Sequence, residues 1–293
     1  MSIEEEVYIK LQRIALERKI STHVVFTLYI LEGFLLRLSQ SGYKNQLILK
    51  GGVLLAAFDA RRPTRDIDLA GVSLDNSTEN VQAICTEIAL QPLNDGITFD
   101  KDGITSEVIR DDDEYSGVRV SIQARLAKAR IRFHIDVSVG DPITPNPQQV
   151  DYQRILGNVD SIQILGYPIE MVLAEKIVTA VQRGVASTRF RDFGDIYILM
   201  RLHPIVFISL RKAILTVLEH RGVIESPLHE VLSDYPKLAQ EKYGNWRTKN
   251  ERDELPETLE ALLREIYPFT DAVLSGDEDD LGIWNPATGR WGS

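Results

Sequence analysis

Leu49-Lys50-Gly51-Gly52 and then Arg61-Arg62-Pro63-Thr64-Arg65-Asp66-Ile67-Asp68-Leu69 are the stretches of this 293-residue sequence whose reading decides the fold. Leu47-Ile48-Leu49 is a short apolar run that ends in Lys50-Gly51-Gly52, the pattern of a buried strand meeting a glycine turn. Val53 to Phe58 is apolar enough for a short helix. Ile67 and Leu69 alternate with Asp66 and Asp68, which predicts a second strand with its aliphatic side chains inward. Both carboxylates then share the other face, their Cα atoms about 6.5–7 Å apart. Carboxylates held side by side repel each other, so the pair calls for a cation. Hard oxygen ligands suit Mg²⁺ (or Mn²⁺), which takes a few carboxylates together with substrate phosphates. The Gly51-Gly52 turn would let backbone N–H groups approach such a phosphate. Lys50, Thr64 and Arg65 are further candidate nucleotide contacts.

A third carboxylate would complete a two-metal site. Residues 117–139 read as a hairpin of two long strands. On the second strand Ile131, Phe133, Ile135 and Val137 share one face, and Arg132, His134, Asp136 and Ser138 share the other. Asp136 is therefore the third candidate metal ligand, or a base for an acceptor hydroxyl. His134 and Arg132 beside it read more simply as ordinary surface or hydrogen-bonded residues. Around this centre, helices are predicted over 2–18, from Ser21 or Thr22 to Gly42, and over 78–90. Gly140 to Pro147 is a loop, and one or two strands fall between Tyr152 and Leu165. After Pro168 the spacing becomes helical over 169–183, 192–202 and 205–220, and near 228–243 and 257–274. The fold class is α+β and bilobed: a mixed sheet with helices over 1–165, then a helical domain over 166–293. The segment from Gly276 to Ser293 is either a loose tail or an arm docked by Trp284 and Trp291.

Composition excludes several classes. Cys85 is the only cysteine, so there is no disulfide scaffold and no cysteine-based zinc site, and it reads as core. The five histidines form no HExxH motif. The apolar stretches look too interrupted for the ~18–20 residues that span a bilayer, so no membrane is expected and a cytoplasmic setting is. The acid run Asp111-Asp112-Asp113-Glu114 reads as a solvated turn. Trp246, in an aromatic and basic stretch, packs or stacks on a base. A net charge of −10 excludes an indiscriminate nucleic-acid coat. From Lys176 to Arg221, however, eight Lys/Arg face three acids. With Arg61, Arg62 and Arg65 they could form a local basic cleft.

The combination of glycine pair, Asp-Ile-Asp and distal strand aspartate resembles the DNA polymerase β-like nucleotidyltransferases. Lys50-Gly51-Gly52, Leu55 and Arg62-Pro63-Thr64-Arg65-Asp66-Ile67-Asp68 are similar to the first motif of the AbiEii/MenT branch, bacterial toxins of toxin–antitoxin systems. Glu175-Lys176, then Arg183, Arg189-Phe190-Arg191 and Asp192-Phe193-Gly194-Asp195-Ile196-Tyr197, resemble its later motifs. The likeness covers roughly residues 45–200. It implies that Lys176 and Asp195 are catalytic, with Lys176 also on the triphosphate. On spacing alone an interhelical salt bridge between them is an even alternative, and Asp192 could merely cap its helix.

These readings lead to a metal-dependent nucleotidyltransferase toxin that moves a nucleoside monophosphate from an NTP to an acceptor hydroxyl. By resemblance the acceptor is the tRNA 3′ end, so that aminoacylation is blocked. The partner is a cognate antitoxin from the neighbouring gene, and the chain acts as a monomer. Two alternatives stay open. One is transfer to an aminoglycoside-like small molecule or a protein side chain. The other is a nucleotide-binding pseudoenzyme, against which the three retained carboxylates argue.

Overall fold

The computed structural model describes residues 2–110, 116–157, 159–275 and 280–292. The acid run 111–114 lies outside them. The chain divides into two units: Met1–Asp141 with Pro147–Tyr167, and Pro142–Asn146 with Pro168–Ser293.

The first unit begins with helix α1 (Ile3–Glu17), started by a reciprocal cap between Ser2 and Glu5. Helix α2 (Thr22–Gln40) follows. Then come β1 (Leu47–Lys50), α3 (Gly51–Leu54) running into a 3₁₀ turn over Leu55–Phe58, β2 (Asp66–Gly71) and α4 (Thr78–Ala89). The remaining strands are β3 (Ile97–Phe99), β4 (Thr105–Arg110), β5 (Ser116–Leu126), β6 (Ala129–Val139), β7 (Gln148–Tyr152) and β8 (Ile162–Gly166). They form one mixed sheet in the order β3-β5-β6-β2-β1-β8-β7, with β4 also on β5. The β2–β6 and β1–β8 pairs are parallel, and the β5–β6 hairpin is antiparallel.

Alternation gives this sheet two unlike faces. Ile67, Leu69, Ile135 and Val137 are fully buried, each such side chain worth about 1.5–3 kcal/mol. Helix α2 packs on β6 and β8, and Phe34 meets Phe133 edge-on at 6.4 Å between centroids. The opposite face carries the polar residues.

Helix α2 is long and apolar enough to cross a membrane by length and composition, contrary to the sequence expectation. Its side chains from Val25 to Leu35 are instead buried in the unit. Two of its charged groups are held inside. Both Glu32 oxygens accept the Ile155 N–H at 2.9 Å, and Oε1 also accepts from Arg61. Arg37 donates to Asp95 at 2.6 Å. Buried charges persist only when paired in this way. Cys85 is core, its thiol pushed up to about 12 by burial.

The sequence reading passed over β3 and β4, and β7 starts before the window it named. These segments are short or half-exposed, so they carry little period-2 signal.

The second unit is helical: α5 (Ile169–Arg183), α6 (Phe190–Leu202), α7 (Phe207–Arg221), α8 (Leu228–Val231), α9 (Tyr235–Lys249) and α10 (Leu259–Leu274). A two-residue strand β9 (Ile205–Val206) precedes α7, and β10 (Ile283–Asn285) and β11 (Arg290–Gly292) add to it. Over its described residues 280–292 the C-terminal segment is thus a docked arm. Trp284 is buried, donates from its indole N–H to the Met200 carbonyl at 2.7 Å, and meets the Phe269 ring edge-on. Trp291 stacks on Phe269 at 5.3 Å. Trp246 packs beside Phe190 and Tyr243.

Candidate active site

Strand register assembles the site in the first unit. Lys50 on β1 is the partner of Asp68 on β2, Asp68 of Asp136 on β6, and Asp136 of Arg119 on β5. Register partners point to the same face, so these four residues form a row cation–acid–acid–cation across four strands. At about 4.8 Å per strand the row is about 14 Å long. The next row is Asp66, His134 and Ser121.

The glycine turn is shaped by this row. Gly51 has φ +66°, and a Cβ there would collide with the Asp68 carboxylate. Both facts restrict the position to glycine. The Gly52 N–H donates to Asp68, and the Arg62 guanidinium lies 3.0 Å from where a Gly52 Cβ would stand. One N–H of the turn is therefore engaged by a carboxylate of its own chain.

Asp68 is pushed up to about 6, first by burial and then by the Asp136 charge. Lys50 and the Gly52 N–H oppose the rise, and Asp66 adds to it. Asp136 receives a two-pronged bond from Arg119, Nε to Oδ1 at 2.8 Å and Nη2 to Oδ2 at 2.7 Å. That bond raises the Arg119 guanidinium further above its ordinary value. Lys50 donates to Asp141 at 2.9 Å, and its ammonium sits 5.7 Å from the Tyr167 ring centroid. Ser138 donates to the same Asp141 oxygen at 2.6 Å. The Thr64 hydroxyl approaches the Asp66 carbonyl at 3.5 Å, and Arg65 is exposed. His134 meets Ser121 through Nδ1 at 2.9 Å, and Arg132 is exposed.

Arg119, Asp141 and Ser138 were not singled out from the sequence as site residues. The register that sets Arg119 against Asp136 comes from the tight turn Ala127-Lys128. Ala127 has φ +49° there, and no asparagine or glycine marks the turn.

Among the described residues no three His, Cys, Asp or Glu side chains make a ready metal cage. The donor set nevertheless fits a divalent ion. Asp66 and Asp68 share one face, and Mg²⁺ takes one or two protein carboxylates with the rest of its shell from water and phosphates. Both Asp136 oxygens already accept from Arg119. One lone pair on each remains, because a carboxylate offers about four acceptor positions.

The second unit holds the later motif. Lys176 on α5 donates to Asp195 at 2.8 Å and to Asp192 at 3.0 Å, both on α6. Lys176 and Asp195 are buried among apolar neighbours. Helix α6 begins at Phe190, so Asp192 lies inside the first turn and not at the cap. Part of the basic charge predicted for this region is paired with acids, Lys176 with Asp192 and Asp195 among them. Arg201 pairs with Glu265, Arg211 with Glu225, and Arg221 donates to Thr179. In the first unit, Arg61 is held by Glu32 and Arg62 is buried. Cations counted along a sequence overstate a patch because the fold pairs them with acids remote in sequence.

A family model described as "Nucleotidyl transferase AbiEii toxin, Type IV TA system" matches residues 33–280. The fold is similar to that of MenT4, a nucleotidyltransferase toxin from Mycobacterium tuberculosis H37Rv. The TM-score is 0.62 at 18% identity, over 93% of this chain and 90% of that one. It is also similar to JHP933 from Helicobacter pylori, with a TM-score of 0.50 at 14% identity, over 87% of this chain and 93% of that one.

Proposed function

Because the chain belongs to the AbiEii nucleotidyltransferase toxin family, we propose that it transfers a nucleoside monophosphate from an NTP to a hydroxyl at the tRNA 3′ end, releasing pyrophosphate. The observation that carries this reading is the row in which Asp68 and Asp136 stand in register beside Asp66, with Lys50 and Arg119 at its ends. A divalent ion, Mg²⁺ or Mn²⁺, bound at Asp66, Asp68 and Asp136 would activate the attacking oxygen and neutralise charge on the triphosphate. Asp136 helps bind the ion or accepts the proton of the acceptor hydroxyl, and Arg119 holds its carboxylate in one orientation. Lys50, the Gly51-Gly52 turn, Thr64 and Arg65 hold the nucleotide. Lys176 contacts the triphosphate, and Asp195 orients its ammonium. Modification of the tRNA end blocks aminoacylation and translation. A cognate antitoxin from the neighbouring gene restrains the toxin, which acts as a cytoplasmic monomer.

Incubation with each labelled NTP, bulk tRNA and Mg²⁺ or Mn²⁺ tests the reading. Label is expected at the tRNA 3′ end. Asp66→Ala should cost several kcal/mol of charge stabilisation, about 10³-fold in rate, with the melting temperature unchanged. Full activity in that variant would sink the metal-site assignment. Label on an aminoglycoside or a protein in place of RNA would move the acceptor to those classes, and no label on any acceptor would leave a nucleotide-binding protein without chemistry.

A further inference from the structure

The polar face of the first unit continues beyond the carboxylates. Past His134 the next rows along the β5–β6 hairpin are Gln123 with Arg132, then Arg125 with Arg130. Six residues on β6 separate Asp136 from Arg130, about 20 Å at ~3.3 Å per residue. At that end the hairpin and the segment after β3 line a cleft of about 700 Å³. Its walls carry Lys101, Arg125, Arg130 and Arg132 against Asp100 and Asp102. Asp100 already accepts the Asp102 N–H.

Two observations bear on what this cleft would take. Among the described residues, none of its four cations is engaged in a hydrogen bond or ion pair. Exposed cations without a partner occur singly elsewhere, as at Arg65, but here four are gathered in one cleft. In addition, Arg125 and Arg130 are direct register partners, and like charges facing each other across strands destabilise a sheet. An external anion would relieve that repulsion. The charges also form an extended array and not a convergent socket. Arg130 and Arg132 are about 6.5–7 Å apart along one strand face. Regularly spaced phosphates match such an array better than one small anion does. Between the array and the carboxylates lie only uncharged or weakly basic hydrogen-bonding groups, Gln123, Ser121 and His134.

We propose that this cleft binds backbone phosphates of a nucleic-acid strand and so holds the acceptor RNA while its end reaches the carboxylate row. The inference rests on the reading that the acceptor is RNA. The test therefore separates binding from transfer. Binding is measured by fluorescence anisotropy on the full chain carrying Asp66→Asn, without NTP, using a labelled RNA hairpin with a single-stranded 3′ end. Transfer to tRNA by the unsubstituted chain is measured in parallel.

Binding should weaken steeply with salt. Adding Arg125→Gln, Arg130→Gln and Arg132→Gln should weaken it about tenfold or more at low salt. The slope of log affinity against log salt should flatten by about 2, at ~0.7 per single-strand phosphate contact. Lysine at the three positions should restore both. If the triple variant melts early, Arg130→Gln alone should flatten the slope by about 0.7. Unchanged affinity and slope in a folded glutamine variant, alongside tRNA labelling by the unsubstituted chain, overturn the cleft and leave the acceptor reading standing. Absent tRNA labelling with salt-dependent, arginine-dependent RNA binding overturns the acceptor reading and supports the cleft.

Discussion

Each unit places two aspartates on one face of one element, and the two pairs end in opposite electrical states. In α6 the spacing is three, and Lys176 bonds both Asp192 and Asp195, at 3.0 and 2.8 Å. In β2 the spacing is two, and the in-register neighbour of Asp68 on β6 is another aspartate. The cations of that row stand at its ends, Lys50 bonded to Asp141 and Arg119 to Asp136. The helix pair is closed by an ammonium from its own chain. The strand pair is buried and crowded by carboxylates, and the proton affinity of Asp68 is raised first by the burial and then by the Asp136 charge. Two carboxylates on one face therefore say little until the position of the nearest cation is known.

Three changes would break or sharpen this contrast. The largest effect should come from Lys176→Ala, which leaves two carboxylates uncompensated, one of them buried. Removing one partner of a buried pair costs about 3–5 kcal/mol. Urea unfolding would read it, and a loss under about 1 kcal/mol would mean that the helix pair is not closed by Lys176.

Asp68→Asn should act in the opposite direction on metal-free protein. The folded-state value near 6 lies above the ordinary 3.8, so the folded state holds the proton more tightly. Its contribution to stability is full below about pH 4 and is lost as pH rises through 6. Two units correspond to at most about 3 kcal/mol. The asparagine variant should be the more stable protein above pH 6, with a flatter profile between pH 4 and 7. A parallel profile for the two proteins would mean that burial and the neighbouring carboxylates do not raise Asp68.

The smallest effect should come from Arg119→Lys. It keeps the charge but loses the planar fork that grips both Asp136 oxygens. Groups that orient a metal ligand typically contribute 10–100-fold. Transfer and Mn²⁺ affinity should fall together within that range while the melting temperature stays put. Unchanged metal affinity would separate Arg119 from the site.

Much of the local chemistry was legible. The alternation of Asp66 to Leu69 and of Ile131 to Ser138 set the right residues on the right faces, because a period of two is a property of the strand itself. The glycine pair announced a tight turn after β1, and Gly51 indeed has a positive φ. What the turn holds was not legible, since the Asp68 side chain reaches it from the neighbouring strand. The basic cleft was sought between Lys176 and Arg221, where cations are dense along the chain. Four cations without partners are instead gathered in one cleft by the β5–β6 hairpin and the segment after β3, where the sequence shows only isolated basic residues.

The sequence by itself determined the strand–glycine turn–strand frame and the identity of the acids, because backbone geometry and side-chain period are set within a few residues. Only the tertiary structure decided which charge each acid meets. Arg119 reaches Asp136 through register, Asp141 reaches Lys50 across 91 residues, and Glu32 pairs with Arg61. Electrostatic interaction depends on distance in space and on burial, and neither is encoded in spacing along the chain.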